Sequence, residues 1–134
     1  MTAITITPAD VIAAAGSSLG TGTSEGTITA GDVVYLNTST SRYALADADV
    51  EATSVVAGIA LNGASASQPF DFIKSGTLTV GAQATTGLVY YLSPTAGQFD
   101  DAVPASSDYV TTLGIGLTST TISINIHVSG ALKP

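Results

Sequence analysis

Ile122-Ser123-Ile124-Asn125-Ile126-His127-Val128-Ser129 sets an aliphatic side chain at every second position and a polar one between each pair. Successive side chains of a β-strand point to opposite faces, so this alternation predicts an antiparallel strand with one buried and one wet face. The rest of the chain reads in the same register. Val33-Val34-Tyr35-Leu36 is a β-branched and aromatic run whose two faces both look buried, preceded by the turn residues Thr29-Ala30-Gly31-Asp32. Asn62-Gly63 stands between Ile59-Ala60-Leu61 and Phe70-Asp71-Phe72, which predicts a hairpin whose connection, Asn62 to Pro69, is longer than a two-residue turn.

These runs occur twice. Thr29-Ala30-Gly31-Asp32-Val33-Val34-Tyr35-Leu36-Asn37 matches Thr85-Thr86-Gly87-Leu88-Val89-Tyr90-Tyr91-Leu92-Ser93, with Gly31 and Gly87 lying 56 positions apart. Gly58 within Val55–Asn62 and Gly114 within Tyr109–Thr118 keep the spacing of 56. A third pair, Phe70–Leu78 and Ile124–Leu132, aligns Gly76 with Gly130 at a spacing of 54, so one turn is shorter in the second copy. Two copies are too few for a solenoid. The expected fold is therefore all-β, a small β-sandwich or β-barrel made of two similar halves, residues 27–78 and 83–132, within a domain spanning 27–134.

The first 26 residues read differently. Thr7-Pro8-Ala9-Asp10 offers an N-cap, a proline at the first helical position and an acid three residues after the cap, and Gly16 ends the segment, which predicts one short helix of two turns. Ser17–Gly26 holds a single large apolar residue, Leu19, among Gly, Ser and Thr, and is expected to be a flexible linker. Residues 1–26 would then form an N-terminal arm.

Composition narrows the function. Charged residues are 10% of the chain, against about 25% in an average soluble domain, so hydroxyl and amide groups must supply most of the surface polarity. The net charge is −7 and the only cations are Arg42, Lys74 and Lys133, which speaks against tracking phosphates or an anionic bilayer; neither nucleic acid nor membrane is an expected partner. The absence of cysteine removes disulfides, thiolate metal sites and cysteine nucleophiles. The start Met1–Pro8 lacks a basic region followed by an apolar run, so the chain is expected to be made and kept in the cytosol unless something larger carries it out.

Motifs for chemistry are weak. Gly16-Ser17-Ser18-Leu19-Gly20 has the letters of a nucleophile elbow, but a helix precedes and a linker follows where a strand and a helix are needed, and His127 is the one histidine available as a base. Gly20–Gly26 misses the dinucleotide-binding spacing by one residue. Asp47-Ala48-Asp49-Val50-Glu51 and Asp100-Asp101 offer oxygen ligands for calcium without the glycine and acid spacing of a binding loop, and read as solvated acidic loops. Tyr35, Tyr90 and Tyr91 recur at matched places and read as packing residues. Asn37-Thr38-Ser39 is a formal glycosylation sequon that a cytosolic chain would not present to the enzyme. The expectation is no enzyme, no catalytic residue, no cofactor and no metal.

Val55–Asn62 followed by Ala66–Leu78, with its Phe72-Ile73-Lys74-Ser75-Gly76-Thr77 element, resembles the head-decoration (capsid cement) proteins of tailed bacteriophages, the lambda-type decoration protein above all. The repeated Ala-Gly-Asp-Val-Val-Tyr-Leu and Gly-Leu-Val-Tyr-Tyr-Leu-Ser-Pro-Thr-Ala-Gly elements are similar to those of other small phage cements. The resemblance covers about residues 27 to 130. It implies a β domain that binds the outside of the expanded head as a homotrimer at three-fold sites and bridges major capsid protein subunits. It also implies an N-terminal segment that orders on the shell as an added strand, for which Ile4, Thr5 and Ile6 are the matching capsid-contact residues. A phage tail or fibre accessory module, a glycan-binding surface adhesin and, more remotely, a hydrolase using Ser18 or His127 are the other readings.

Overall fold

A computed structural model describes residues 4, 6, 8–81, 84–103 and 108–132. Ten strands account for about half of them: β1 (Ile12–Ala13), β2 (Ser18–Thr23), β3 (Val33–Asn37), β4 (Arg42–Leu45), β5 (Val56–Ala60), β6 (Pro69–Thr79), β7 (Val89–Leu92), β8 (Phe99–Asp100), β9 (Tyr109–Gly116) and β10 (Thr121–Leu132). They form one strongly curled antiparallel sheet in the order β4-β3-β5-β6-β10-β9-β7-β8, with β1 and β2 also on β6. The fold is all-β and built from two matched halves. β3, β5 and β6 of the first answer to β7, β9 and β10 of the second, so the order reads alike from either end.

β6 joins the halves. Ile73 sits between Leu19 of β2 and Ile59 of β5, while Ser75 sits between Ser18 of β2 and Asn125 of β10. One edge of β6 thus carries β2, followed by β1 at Leu78 and Thr79; the other is shared by β5 and then β10. A strand of 11 residues is long enough to serve two partners in succession. Beyond β2, Ser24 bridges to Tyr43 and the Glu25 N–H donates to the Tyr43 carbonyl at 2.7 Å, so the first half curls back on itself.

That curl makes two cores from one strand pattern. Phe70 and Phe72 point into a small core with Ile28, Val34, Ala60 and Ala64, whereas Ile73 points the other way into the main core with Val33, Ile59, Leu78, Tyr90, Leu92, Phe99, Leu113, Ile122 and Ile124. Neighbouring residues of β3 and β5 divide likewise, which is why Val33 and Val34 are both fully buried. In the small core Tyr43, Phe70 and Phe72 meet at ring-centroid distances of 5.0 to 5.8 Å, tilted or edge-on as their quadrupoles favour.

The second copy turns its faces over. Val34, Phe70 and Phe72 of the small core correspond to Tyr90, Ile124 and Ile126, all of which belong to or pack on the main core. Ile59 and Ile73 of the main core correspond to Ile115, which is 48% exposed, and to the exposed His127. The main core is therefore the outer face of one copy packed on the inner face of the other. On β10 the expected alternation holds: Ile122 and Ile124 are buried, while Asn125 and His127 face water.

Two expectations for the N-terminal region are corrected. In place of a two-turn helix there is a single 3-10 turn, Pro8–Asp10, followed at once by β1. Pro8 favours a first turn, but Val11, 8% exposed, is pulled into the main core and β1 finds a ladder on β6, which outweighs the helix propensity of Ala13-Ala14-Ala15. The segment expected to be a flexible linker is β2. Its glycines are there for close approach: a Cβ on Gly20 would press on the Phe72 ring and one on Gly22 on the Tyr43 ring. A glycine-rich strand can lie flat over aromatic rings, and its ordering is offset by the apolar surface it covers on Phe72 and Tyr43. The arm and the β domain therefore share one sheet from residue 12 onward.

Candidate functional site

The two-residue strand β8 is an end of the sheet, yet Phe99 is fully buried and Asp100 is 2% exposed. What covers the edge is the chain's own N-terminal segment. The Ile4 N–H donates to the Phe99 carbonyl at 2.9 Å, and the half-buried side chains of Ile4 and Ile6 pack on the main core. Thr5, the third of the expected capsid-contact residues, lies outside the described residues.

Two turns build the walls of this seat. In Thr29–Asp32 the Asp32 carboxylate accepts from the Thr29 N–H at 2.9 Å and from its hydroxyl at 3.0 Å, closing the turn with its own side chain. Burial raises the Asp32 pKa, and the bonds from Thr29 hold the rise in check. Gly31 has φ +94°, and an Ile6 methyl lies only 2.8 Å from where its Cβ would be, so the absent side chain serves both the turn and the segment laid on it. The opposite wall is the connection from β7 to β8. There the Thr95 N–H donates to the Ser93 hydroxyl at 2.9 Å, the Ser93 N–H to the Gln98 carbonyl at 3.1 Å, and the Val33 N–H to the Gly97 carbonyl at 2.9 Å. Between the walls and the segment a cavity of about 130 Å³ remains, bordered by Ile4, Ile6, Asp32, Gln98 and Phe99.

The two acidic runs come together near this end of the sheet. The Ala48 N–H donates to the Ser93 carbonyl at 3.1 Å and the Tyr109 N–H to the Ala48 carbonyl at 2.8 Å, which brings the Asp47–Asp49 loop beside Asp100 and Asp108. The Asp100 pKa is raised by burial, opposed by a hydrogen bond from Ser93 and reinforced by the charge of Asp101; its Oδ2 is buried and accepts no hydrogen bond. Asp108 is raised too, by desolvation first and then by Asp49, Asp100 and Asp47. The Asp47 carboxylate is engaged locally, by the Asp49 N–H at 3.0 Å and the Thr53 hydroxyl at 3.2 Å. Among the described residues no three or more His, Cys, Asp or Glu side chains stand together as a metal-holding group.

The remaining candidates lie on strands of the sheet. Ser18 lies inside β2, paired with Ser75, and not at the sharp strand-to-helix turn of a nucleophile elbow. His127 is exposed on β10, where its carbonyl pairs with Thr112. Tyr90 is a core residue whose hydroxyl accepts from the Thr85 N–H at 2.8 Å, and its ring meets Phe99 at 6.4 Å. Asn37 of the sequon donates to the Glu25 carboxylate at 2.9 Å. Among the described residues no helix is long and apolar enough to cross a membrane.

The seat on β8 was only half legible in the sequence. Ile4-Thr5-Ile6 announces a strand-forming segment by its alternation, but nothing in the local pattern says where it docks. The one signal on the receiving side is Gly31, a turn glycine whose neighbours leave room for a side chain from elsewhere. Neither protein-family models nor curated proteins give a match to this chain.

Proposed function

We propose that this protein decorates the outside of an expanded bacteriophage head as a homotrimer and stabilises it by bridging neighbouring major capsid subunits. The observation that carries the reading is where the resemblance falls. Phe72–Thr77, the element most similar to the lambda-type decoration protein, is the centre of β6, the strand on which both cores and the N-terminal strands are assembled. A resemblance confined to a loop would carry less weight, because β6 fixes the positions of everything else.

The surface is suited to this work. Repeated small contacts around a symmetric oligomer gain affinity by multivalency and need no reactive side chain. Exposed Leu19, Leu36, Val55, Ile115 and Leu117 are spread among Ser and Thr, giving polar faces with scattered apolar points. Ile4 already donates a backbone hydrogen bond to Phe99 of β8, and it packs on the main core with Ile6, so reaching a capsid strand would require both to leave that seat.

The test is co-sedimentation of the purified chain with capsids lacking it, unexpanded and expanded. Saturable binding to the expanded form, near three copies per three-fold site, is expected. No binding to either form would end the proposal and favour a tail, fibre or glycan-binding module. Heads without the protein are expected to burst at lower temperature than complete ones.

A further inference from the structure

We propose that Asn62 is a self-modifying residue: in the folded chain the Gly63 nitrogen closes on its side chain, and the ring that forms opens to aspartate or isoaspartate. The inference is independent of the decoration reading, and its test needs no capsid.

The sequence presents Asn62-Gly63 as part of the β5–β6 connection, yet the fold does not need a glycine there. Gly63 is not among the residues with positive φ, and a Cβ built on it comes no closer than 3.4 Å to another atom, the Ile28 carbonyl oxygen. The connection would accept an alanine. What the missing side chain leaves open is the Gly63 nitrogen, which no Cβ shields from the Asn62 carboxamide just before it.

The surroundings hold the reacting groups ready. Both residues are exposed, so water reaches them. The Asp71 N–H donates to Asn62 Oδ1 at 3.0 Å, which puts a donor on the oxygen that takes up negative charge when a nucleophile adds to Cγ. Among the described residues neither the Gly63 N–H nor Asn62 Nδ2 has a hydrogen-bond partner, so nucleophile and leaving group are both free. On either side the chain is pinned. The Leu61 N–H donates to the Asp71 carbonyl at 2.8 Å, and Ile28 and Ala64 exchange backbone bonds of 2.8 and 2.9 Å. The other asparagines lack this arrangement. Asn37 donates its amide to Glu25 and accepts at Oδ1 from the Ser39 N–H, with the β-branched Thr38 next to it, while Asn125 is held in the β6–β10 ladder and precedes Ile126.

The step balances with water alone. The Gly63 nitrogen loses its proton and bonds to Asn62 Cγ, the Cγ–Nδ2 bond breaks, and the side-chain amide leaves with that proton as ammonia, giving a succinimide ring. Water then opens the ring at either carbonyl. Opening at Cγ leaves aspartate; opening at the backbone carbonyl leaves isoaspartate, with the main chain running through Cγ. Each product carries one more carboxylate.

The test incubates the folded full-length chain in mildly alkaline buffer below its melting temperature, beside a urea-unfolded sample, and maps peptides by mass at intervals. Expected in the folded sample is a gain of about 1 Da confined to the peptide holding Asn62, split between aspartate and isoaspartate, with Asn37 and Asn125 unchanged. Gly63→Ala, which the space around residue 63 admits, should keep the fold and slow the conversion about tenfold or more. Failure of Asn62 to convert in the folded sample would overturn the proposal; conversion in the unfolded sample alone would show the fold holding Cγ away from the nitrogen. Equal conversion at Asn37, Asn62 and Asn125, an unchanged rate in Gly63→Ala, or aspartate as the sole product, which direct hydrolysis gives, would each overturn it as well.

Discussion

Phe72 and Ile73 are adjacent in β6 but are buried in different cores, which allows the two-core architecture to be tested by removing one side chain at a time. Phe72→Ala takes away a ring that is 4% exposed and lies 5.0 Å from Tyr43 and 5.8 Å from Phe70. Phe→Ala changes cost about 3–5 kcal/mol, depending on how far the site collapses. Here β2 is bare at Gly20 and can settle into the space, so the lower end, about 3 kcal/mol, is expected. Ile73→Ala opens the fully buried main core, flanked by Ile59 and Leu19 on either strand, and about 3–4 kcal/mol is expected. The totals are close, but their distribution differs. Native-state hydrogen exchange should show Phe72→Ala deprotecting the amides of β2 while β9 and β10 keep theirs, and Ile73→Ala weakening both halves together. Identical patterns of lost protection in the two variants would refute the division into two cores.

Acidity provides a second test. Asp32, Asp100 and Asp108 all have pKa values raised above 3.8, with burial as the leading cause, so the folded state holds these protons more tightly than the unfolded one. Their contribution to stability is greatest when protonated and is lost as pH rises from about 3.8 through the folded values; Tm should rise on acidification from neutrality toward that window, and a Tm that falls throughout would contradict it. Asp108→Asn relieves the repulsion with Asp49 and should raise Tm slightly at neutral pH, by less than about 3 °C. Thr111→Val leaves the Ser54 carbonyl without the buried hydroxyl that reaches it at 2.8 Å, and should cost about 1–2 kcal/mol in denaturant titration. Gly31→Ala strains a backbone at φ +94° and displaces Ile6, costing about 1–2 kcal/mol and speeding proteolysis before Pro8.

What could be read in advance depended on how local the determining force was. The alternation in β10 and the hairpin between β5 and β6 rest on burial repeated within one segment and stand as expected; the two buried faces expected of Val33–Leu36 hold at Val33 and Val34 but not at Leu36, which is exposed near the end of its strand. The N-terminal strands do not. Gly20 and Gly22 suit a linker until the rings of Phe72 and Tyr43, far off in sequence, are placed beneath them. Thr7–Gly16 has the endings of a helix but only two turns of propensity, too little to compete with the ladder offered by Thr77, Leu78 and Thr79. The repeat showed which strands correspond but was silent on which side of each faces inward, since that depends on what packs against each copy. For the seat on β8 the sequence held the strand and not its destination.

The turning-over of the second copy bears on how the chain folds as it leaves the ribosome. Every strand and side chain of the small core lies between Ser18 and Thr79, so the first half can close its ring of strands before β7, β9 and β10 have been made. Until they arrive, Val33, Ile59 and Ile73 present an apolar sheet face with nothing on it, and it is the following copy of the repeat that covers them. The duplication thus acts in time as well as in space: the first copy is a template that forms early, and the second is the lid that it waits for. A chain halted near residue 84 would be folded on one side and adhesive on the other.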